Sequence, residues 1–265
     1  MRFGNCLNLV PPANGGDRRI LDLTLKAGFD YVEAGLSELA RAADAEFDAV
    51  RRLCADLGLT VPVCNGMFPP DIRLTADGAD FDRIRAYTDG AFARAKCLGV
   101  EKVVLGSDKS RRLPEGYAAE AGFADMIRVV KECIAPLCEK HGITVLIEPL
   151  RRPACNFLNT LADGMRVVDG VDHPQVQLIA DTIHMIHSGE DPDSINRYLP
   201  HLLHVHVSDW ERRLPQYGFS RELTPVIRTL ALSCYDGDYS FEVRPDPDDL
   251  ALQRALLLLK AALGA

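Results

Sequence analysis

The stretch ITVLIE, residues 143–148, is an apolar run that stops at a single acid and is followed at once by Pro149. Five apolar or β-branched residues in a row read as a strand buried on both faces, and the proline ends its hydrogen-bond ladder. Three later stretches repeat the pattern: VQLIAD at 176–181, LLHVH at 202–206 and YSFE at 239–242. Each is an apolar strand ending in a side chain able to bind a cation, and the spacing is roughly that of one βα unit, about thirty residues. Parallel strands closed into a barrel open all their C-terminal ends on one face. The spacing therefore predicts that Glu148, Asp181, His206 and Glu242 meet at one point. Three carboxylates and one imidazole suit Mn²⁺, Mg²⁺ or Co²⁺ better than a structural zinc, with Zn²⁺ as a further candidate.

The same alternation runs through the rest of the chain. Strands are expected near 2–8, 30–34, 60–65, 101–105, 143–148, 176–180, 203–207 and 239–243. Helices are expected near 17–27, 45–57, 79–98, 118–141, 158–170, 193–199, 219–231 and 248–263. Glycines at 28, 58, 99 and 142 stand where helices should stop, with a strand beginning shortly after each. Eight units in 265 residues predict an α/β fold, a single-domain (β/α)₈ barrel over 1–265. An open doubly wound sheet shares the alternation, but no glycine-rich phosphate loop follows any strand.

Composition narrows the function. With 47% hydrophobic residues the chain can bury a large core. A formal net charge of −8, without a basic tract, speaks against nucleic acid as a partner. No apolar run is long enough to span a membrane, and the N-terminus MRFGNCLNLV lacks the pattern of a signal peptide. The eight cysteines form no zinc-ribbon spacing and lie mostly in apolar context, which fits a reducing cytoplasm.

Local context ranks the titratable residues. In DTIH, Asp181 and His184 fall on one side of a turn. In LLHVHV, His204 and His206 point the same way, so His206 is assigned to the rim and His204 to the packed interior. His187 is assigned to the surface or to the surroundings of the site. Glu33, which closes DYVE on the second strand, is a candidate site acid at the rim. Trp210, Met67 and Phe68 fall on rim loops, where they would exclude water.

The stretches NGMFPPDIRLT, RIRAYTDGAFARAKCLGVEKVVLGS, ITVLIEPL, NFLNT, IADTIHM, HVHVSDWERRLP and FEV together resemble the xylose-isomerase-like TIM barrel superfamily. This sugar-phosphate isomerase/epimerase group includes ketose 3-epimerases, hydroxypyruvate isomerases and endonuclease-type relatives. The resemblance implies Glu148, Asp181, His206 and Glu242 as ligands of one divalent ion per chain. It implies His184 and Arg212 as contacts to substrate oxygens and Glu148 and Glu242 as the catalytic acid–base pair. By analogy it implies a homodimer or homotetramer. The chain departs from the pattern at Ala154, where relatives carry a second glutamate that grips the sugar. Arg151, Arg152, Cys155 or Asn156 would have to substitute, and Asn156 is taken as a substrate-binding candidate. A basic replacement would suit an acidic substrate.

The expected activity is isomerisation or epimerisation of a small sugar or sugar acid through an enediolate. A lyase dehydrating a polyol or keto-acid would use the same first step. A sugar-binding barrel without turnover and an endonuclease-type hydrolase are weaker alternatives. The hydrolase would need more histidines at strand ends than this chain has.

Overall fold

In the computed structural model, which describes residues 1–246 and 248–265, eight parallel strands pair in chain order and the last pairs with the first. They are β1 (Phe3–Cys6), β2 (Tyr31–Gly35), β3 (Val63–Asn65), β4 (Lys102–Leu105), β5 (Thr144–Ile147), β6 (Val176–Asp181), β7 (Leu202–Val207) and β8 (Asp238–Phe241). The barrel is closed, as the sequence predicts. The strand β3 is shorter than expected because Pro62 has no N–H to donate. Its carbonyl still accepts from the backbone of Glu101 and Lys102, at 2.8 and 3.0 Å.

Long helices form the outer ring: Arg19–Ala27, Asp44–Leu57, Phe81–Cys97, Leu161–Val171, Leu223–Leu232 and Ala251–Leu263. The helix expected over 118–141 is α-helical at Ala119–Val129 and Ala135–His141, with a π turn at Val130–Ile134 between them. Pro136 cannot bond the carbonyl of Glu132, and Arg85 Nε donates to that carbonyl instead at 3.4 Å. Four short helices were not expected: Val10–Ala13, Leu36–Arg41, Asp108–Arg111 and Thr182–Ser188. Each follows the C-terminal end of a strand, so they decorate the rim on which the candidate ligands lie.

The interior is layered because side chains on a strand alternate with period two. Tyr31, Val63, Val104, Leu146 and Ile179 form a buried apolar layer inside the barrel. Two residues further along the same strands stand Glu33, Glu148 and Asp181, and the same step on β7 leads from His204 to His206. The apolar layer thus makes a floor, and the polar residues stand on it. Gly4 is part of that floor: a Cβ there would lie 2.1 Å from the Tyr31 ring, so only glycine lets the ring cross the barrel. Tyr31 reaches across to donate to the Tyr239 carbonyl at 2.8 Å. Below the floor, Asp238 accepts from Lys102 Nζ at 2.5 Å and from Arg2 Nη2 at 2.7 Å, closing the N-terminal end.

Candidate metal centre and active site

Glu148, Asp181, His206 and Glu242 each place one ligand atom within 4.8 Å of the others. Asp181 and His206 sit opposite each other in the β6–β7 register, which fixes their separation through the ladder. Glu148 lies just past β5 and Glu242 just past β8, and their backbone amides donate to Leu105 and Val207, both at 3.3 Å. His206 Nδ1 faces Glu148 Oε1 at 3.4 Å, Glu242 Oε2 at 3.5 Å and Asp181 Oδ2 at 3.7 Å. Both His206 Nδ1 and Asp181 Oδ2 are buried without a hydrogen-bond partner. A lone pair surrounded by three carboxylates is stable only if a proton or a cation stands between them. A divalent ion at that centre would satisfy both orphaned atoms, so the residues fit the metal that the sequence predicts.

Below the centre, Glu33 accepts from His204 Nε2 and His206 Nε2, each at 2.8 Å. Burial alone would raise the Glu33 carboxyl, but the two histidines outweigh it and hold it well below the usual carboxylate range. Burial lowers His206, yet Glu33 and Cys6 more than reverse this, and the imidazole is held well above its ordinary value. His204 is lowered by burial, which its bond to Glu33 only partly offsets. The result is an ionised Glu33 beneath a charged His206 and a neutral His204. A metal at Nδ1 would replace that proton while Glu33 keeps the Nε2 hydrogen in place, the usual division of labour for a ligand histidine. Burial also raises Glu242, whereas for Asp181 it is outweighed by His184, His206 and Arg212, leaving that carboxyl depressed.

Two further features hold Glu148. A Cβ on Gly106 would come within 2.0 Å of Glu148 Oε2, so the bare backbone at the end of β4 is the space the carboxylate occupies. Arg111, fully buried, donates to the Glu148 carbonyl at 2.6 Å and to the Leu105 carbonyl at 3.2 Å. Sequence reasoning missed both. An arginine in SDKSRR reads as a surface charge, and only the fold turns the short helix Asp108–Arg111 inward.

The other predicted residues divide. His184 is buried, with Nδ1 accepting from the Arg151 amide at 3.3 Å and Nε2 unpartnered 3.6 Å from Asp181. Arg212 donates to Glu242 at 2.6 Å, and the pair borders a cavity of about 240 Å³ with Cys6, Asn8 and Asn65. Glu33 is not at the rim: it is fully buried with both oxygens engaged by histidines, so its role is to orient His206. Asn156 is turned away, its amide bonding both the N–H and the carbonyl of Leu113 at 3.0 Å. Cys155 is buried with Sγ toward the Asp108 carbonyl at 3.5 Å. Met67 and Phe68 are buried, with Phe68 against the Tyr87 ring. Trp210 does stand at the surface, 45% exposed, stacked on His187 at 3.7 Å.

A closed (β/α)₈ barrel carrying three acids and a histidine at its C-terminal rim defines a class, the divalent-metal barrels that act on small oxygenated molecules. Residues 21–262 match the family model described as xylose isomerase-like TIM barrel, and the chain belongs to that family. Among curated relatives it is 27% identical over 202 residues to the D-psicose 3-epimerase of Agrobacterium fabrum, covering 75% of this chain and 69% of that one. It is 26% identical over 227 residues to the L-ribulose 3-epimerase of Mesorhizobium japonicum, covering 84% and 74%. Its fold is similar to a crystal structure of D-psicose 3-epimerase in the presence of D-fructose, with a TM-score of 0.83 and 20% identity over the whole of both chains. A family 2 AP endonuclease from Brucella melitensis shares the fold at a TM-score of 0.74 and 22% identity, over 98% of each chain.

Proposed function

We propose that the protein is a divalent-metal-dependent epimerase of a small keto sugar or sugar acid, with Glu148 and Glu242 as its acid–base pair. The observation that carries this reading is the convergence of four ligand atoms around two orphaned buried atoms at the barrel mouth. The relatives named for ketose 3-epimerisation support the choice of reaction. The oxygen-rich donor set favours Mn²⁺, Mg²⁺ or Co²⁺. When bound, the ion would supply Lewis acidity to the substrate's carbonyl and neighbouring hydroxyl oxygens.

The chain's residues then have distinct tasks. Glu148 and Glu242 stand three strands apart around the mouth and can reach opposite faces of a substrate lying between them. One carboxylate removes the proton beside the carbonyl, and the other returns a proton on the far face, inverting that carbon. The unpartnered His184 Nε2 and the Arg212 guanidinium hold substrate oxygens. Arg212 must loosen its bond to Glu242 to do so, which frees a carboxylate oxygen when substrate arrives. The eight free cysteines fit a reducing cytoplasm as the place of work.

The test is incubation of the Mn²⁺-loaded protein with ketopentoses and ketohexoses in D₂O. One solvent deuteron should enter the product at the inverted carbon. Glu148→Gln and Glu242→Gln should each lower kcat by about 100-fold or more. Full turnover by either variant contradicts the two-carboxylate assignment, and a product lighter by one water assigns a lyase instead.

A further inference from the structure

Beside the candidate centre lies a second cavity, of about 570 Å³, that the proton-transfer scheme leaves unused. Four arginines line it: Arg151, Arg212, Arg213 and Arg244. Two are neutralised locally. Arg212 pairs with Glu242, and Arg213 pairs with Asp209 and Glu211. Arg151 and Arg244 have no acidic partner for their guanidinium groups among the described residues. One other acid lines the cavity, Asp246, and its two oxygens accept from Gln216 Nε2 at 2.9 Å and from the Asp248 amide at 2.8 Å.

The two unpaired arginines are held at the mouth by their backbones. Arg151 follows Glu148 by three residues, and its amide donates to His184 Nδ1. Arg244 follows Glu242 by two, and its amide donates to the Arg212 carbonyl at 2.8 Å. Each is thus tied to a residue assigned to substrate oxygens. Arg151 is only partly exposed, and burial, followed by the charges of Arg212 and Arg244, weakens its hold on its proton against the opposing pull of Asp181 and Glu242. Arg244 is exposed, and two like-charged guanidinium groups at one cavity, neither with an acid of its own, are stabilised by an anion between them. The stacked Trp210 and His187 rings form the wall of the same cavity. Ala154 has no side chain with which to bond a sugar hydroxyl. Of the four residues able to take over that duty, Cys155 and Asn156 face elsewhere and Arg152 does not line the cavity, whereas Arg151 does.

We propose that the substrate carries an anionic group, a carboxylate or a phosphate, which Arg151 and Arg244 receive in this cavity while the carbonyl end lies at the candidate centre. This rests on the epimerase reading of the four-ligand site and names its substrate class. The shared chemistry is a planar or tetrahedral oxyanion bound by two guanidinium forks.

The experiment is isothermal titration of the Mn²⁺-loaded protein with three probes of matched carbon skeleton: D-fructose, D-fructose 6-phosphate and 5-keto-D-gluconate. At least one anionic probe should bind ten times more tightly than D-fructose or better. Which one does so separates a phosphate from a carboxylate. In Arg151→Gln and Arg244→Gln the ratio of anionic to neutral affinity should fall about tenfold, with circular dichroism and the Mn²⁺ affinity unchanged. Equal or tighter binding of D-fructose, or no binding of either anion at millimolar concentration, overturns the proposal. So does an unchanged ratio in both variants. Failure of the epimerase reading is a separate signal, the loss of Mn²⁺ binding itself or of deuterium exchange.

Discussion

Glu33 shows how one side chain can matter without facing the substrate. Its two oxygens hold the hydrogens of His204 and His206, so it sets the tautomer and the ring plane of the candidate nitrogen ligand, His206. Glu33→Gln keeps the shape but removes the charge and one acceptor. Its Mn²⁺ affinity should fall by about 10- to 100-fold, measured by titration, with little change in circular dichroism. An unchanged affinity would reduce Glu33 to a packing residue. At this scale the convergence of the four candidate residues was readable because each ended an apolar strand. The place of Glu33 was not, since a closing acid on DYVE carries no mark of which histidine it will meet. Asn156 misled for a related reason: its segment lies near the site in sequence, but its amide is consumed by the Leu113 backbone. Gly106 gave no signal either, because a glycine after a strand reads as a turn.

At the scale of elements, the helix Leu161–Val171 depends on caps. Thr160 accepts from the Asp163 amide at 3.1 Å, and Glu190 Oε2 accepts from the Leu161 amide at 2.9 Å. Burial pushes the Glu190 carboxyl up to about 7. A carboxyl raised in the folded state contributes most below its unfolded value, and that contribution is lost as the pH rises through the folded one. Glu190→Gln can still accept from Leu161 and has no charge to bury. It should match the parent near pH 4.5 and be more stable at pH 8 by about 1–2 kcal/mol, after allowing for solvent screening. Urea unfolding at the two pH values checks this, and equal stability at both contradicts it. The eight strands and the long helices were legible from their periodicity. The rim helices Leu36–Arg41 and Thr182–Ser188 were not, because six or seven residues are too few to establish a period. The π turn is an effect of Pro136 on a ladder that the apolar pattern does not see.

For the whole molecule, the centre concentrates Glu148, Asp181 and Glu242 in a chain already carrying −8. A cation held there would bind only the folded form and stabilise it by mass action, about 2.7 kcal/mol at a hundredfold excess over Kd. Chelation should therefore lower Tm by about 5–10 °C for a chain of this size, and re-addition of Mn²⁺ should restore it. Glu148→Gln should shrink that shift. A melting temperature indifferent to chelator would remove the metal from the account. Closure of the barrel was readable from the count of units, since eight βα repeats leave no edge to spare.

Among the described residues, the ion pairs of Lys102 and Arg2 with Asp238, together with the Tyr31 layer above them, close the interior at its back. Whatever enters by the rim must depart by it. On the proposed epimerase reading, a turned-over molecule and the next arrival contend for the same doorway, so the newly made epimer obstructs its own successor. Traffic through one gate, as well as the equilibrium between two epimers, then bounds how fast such a vessel can work.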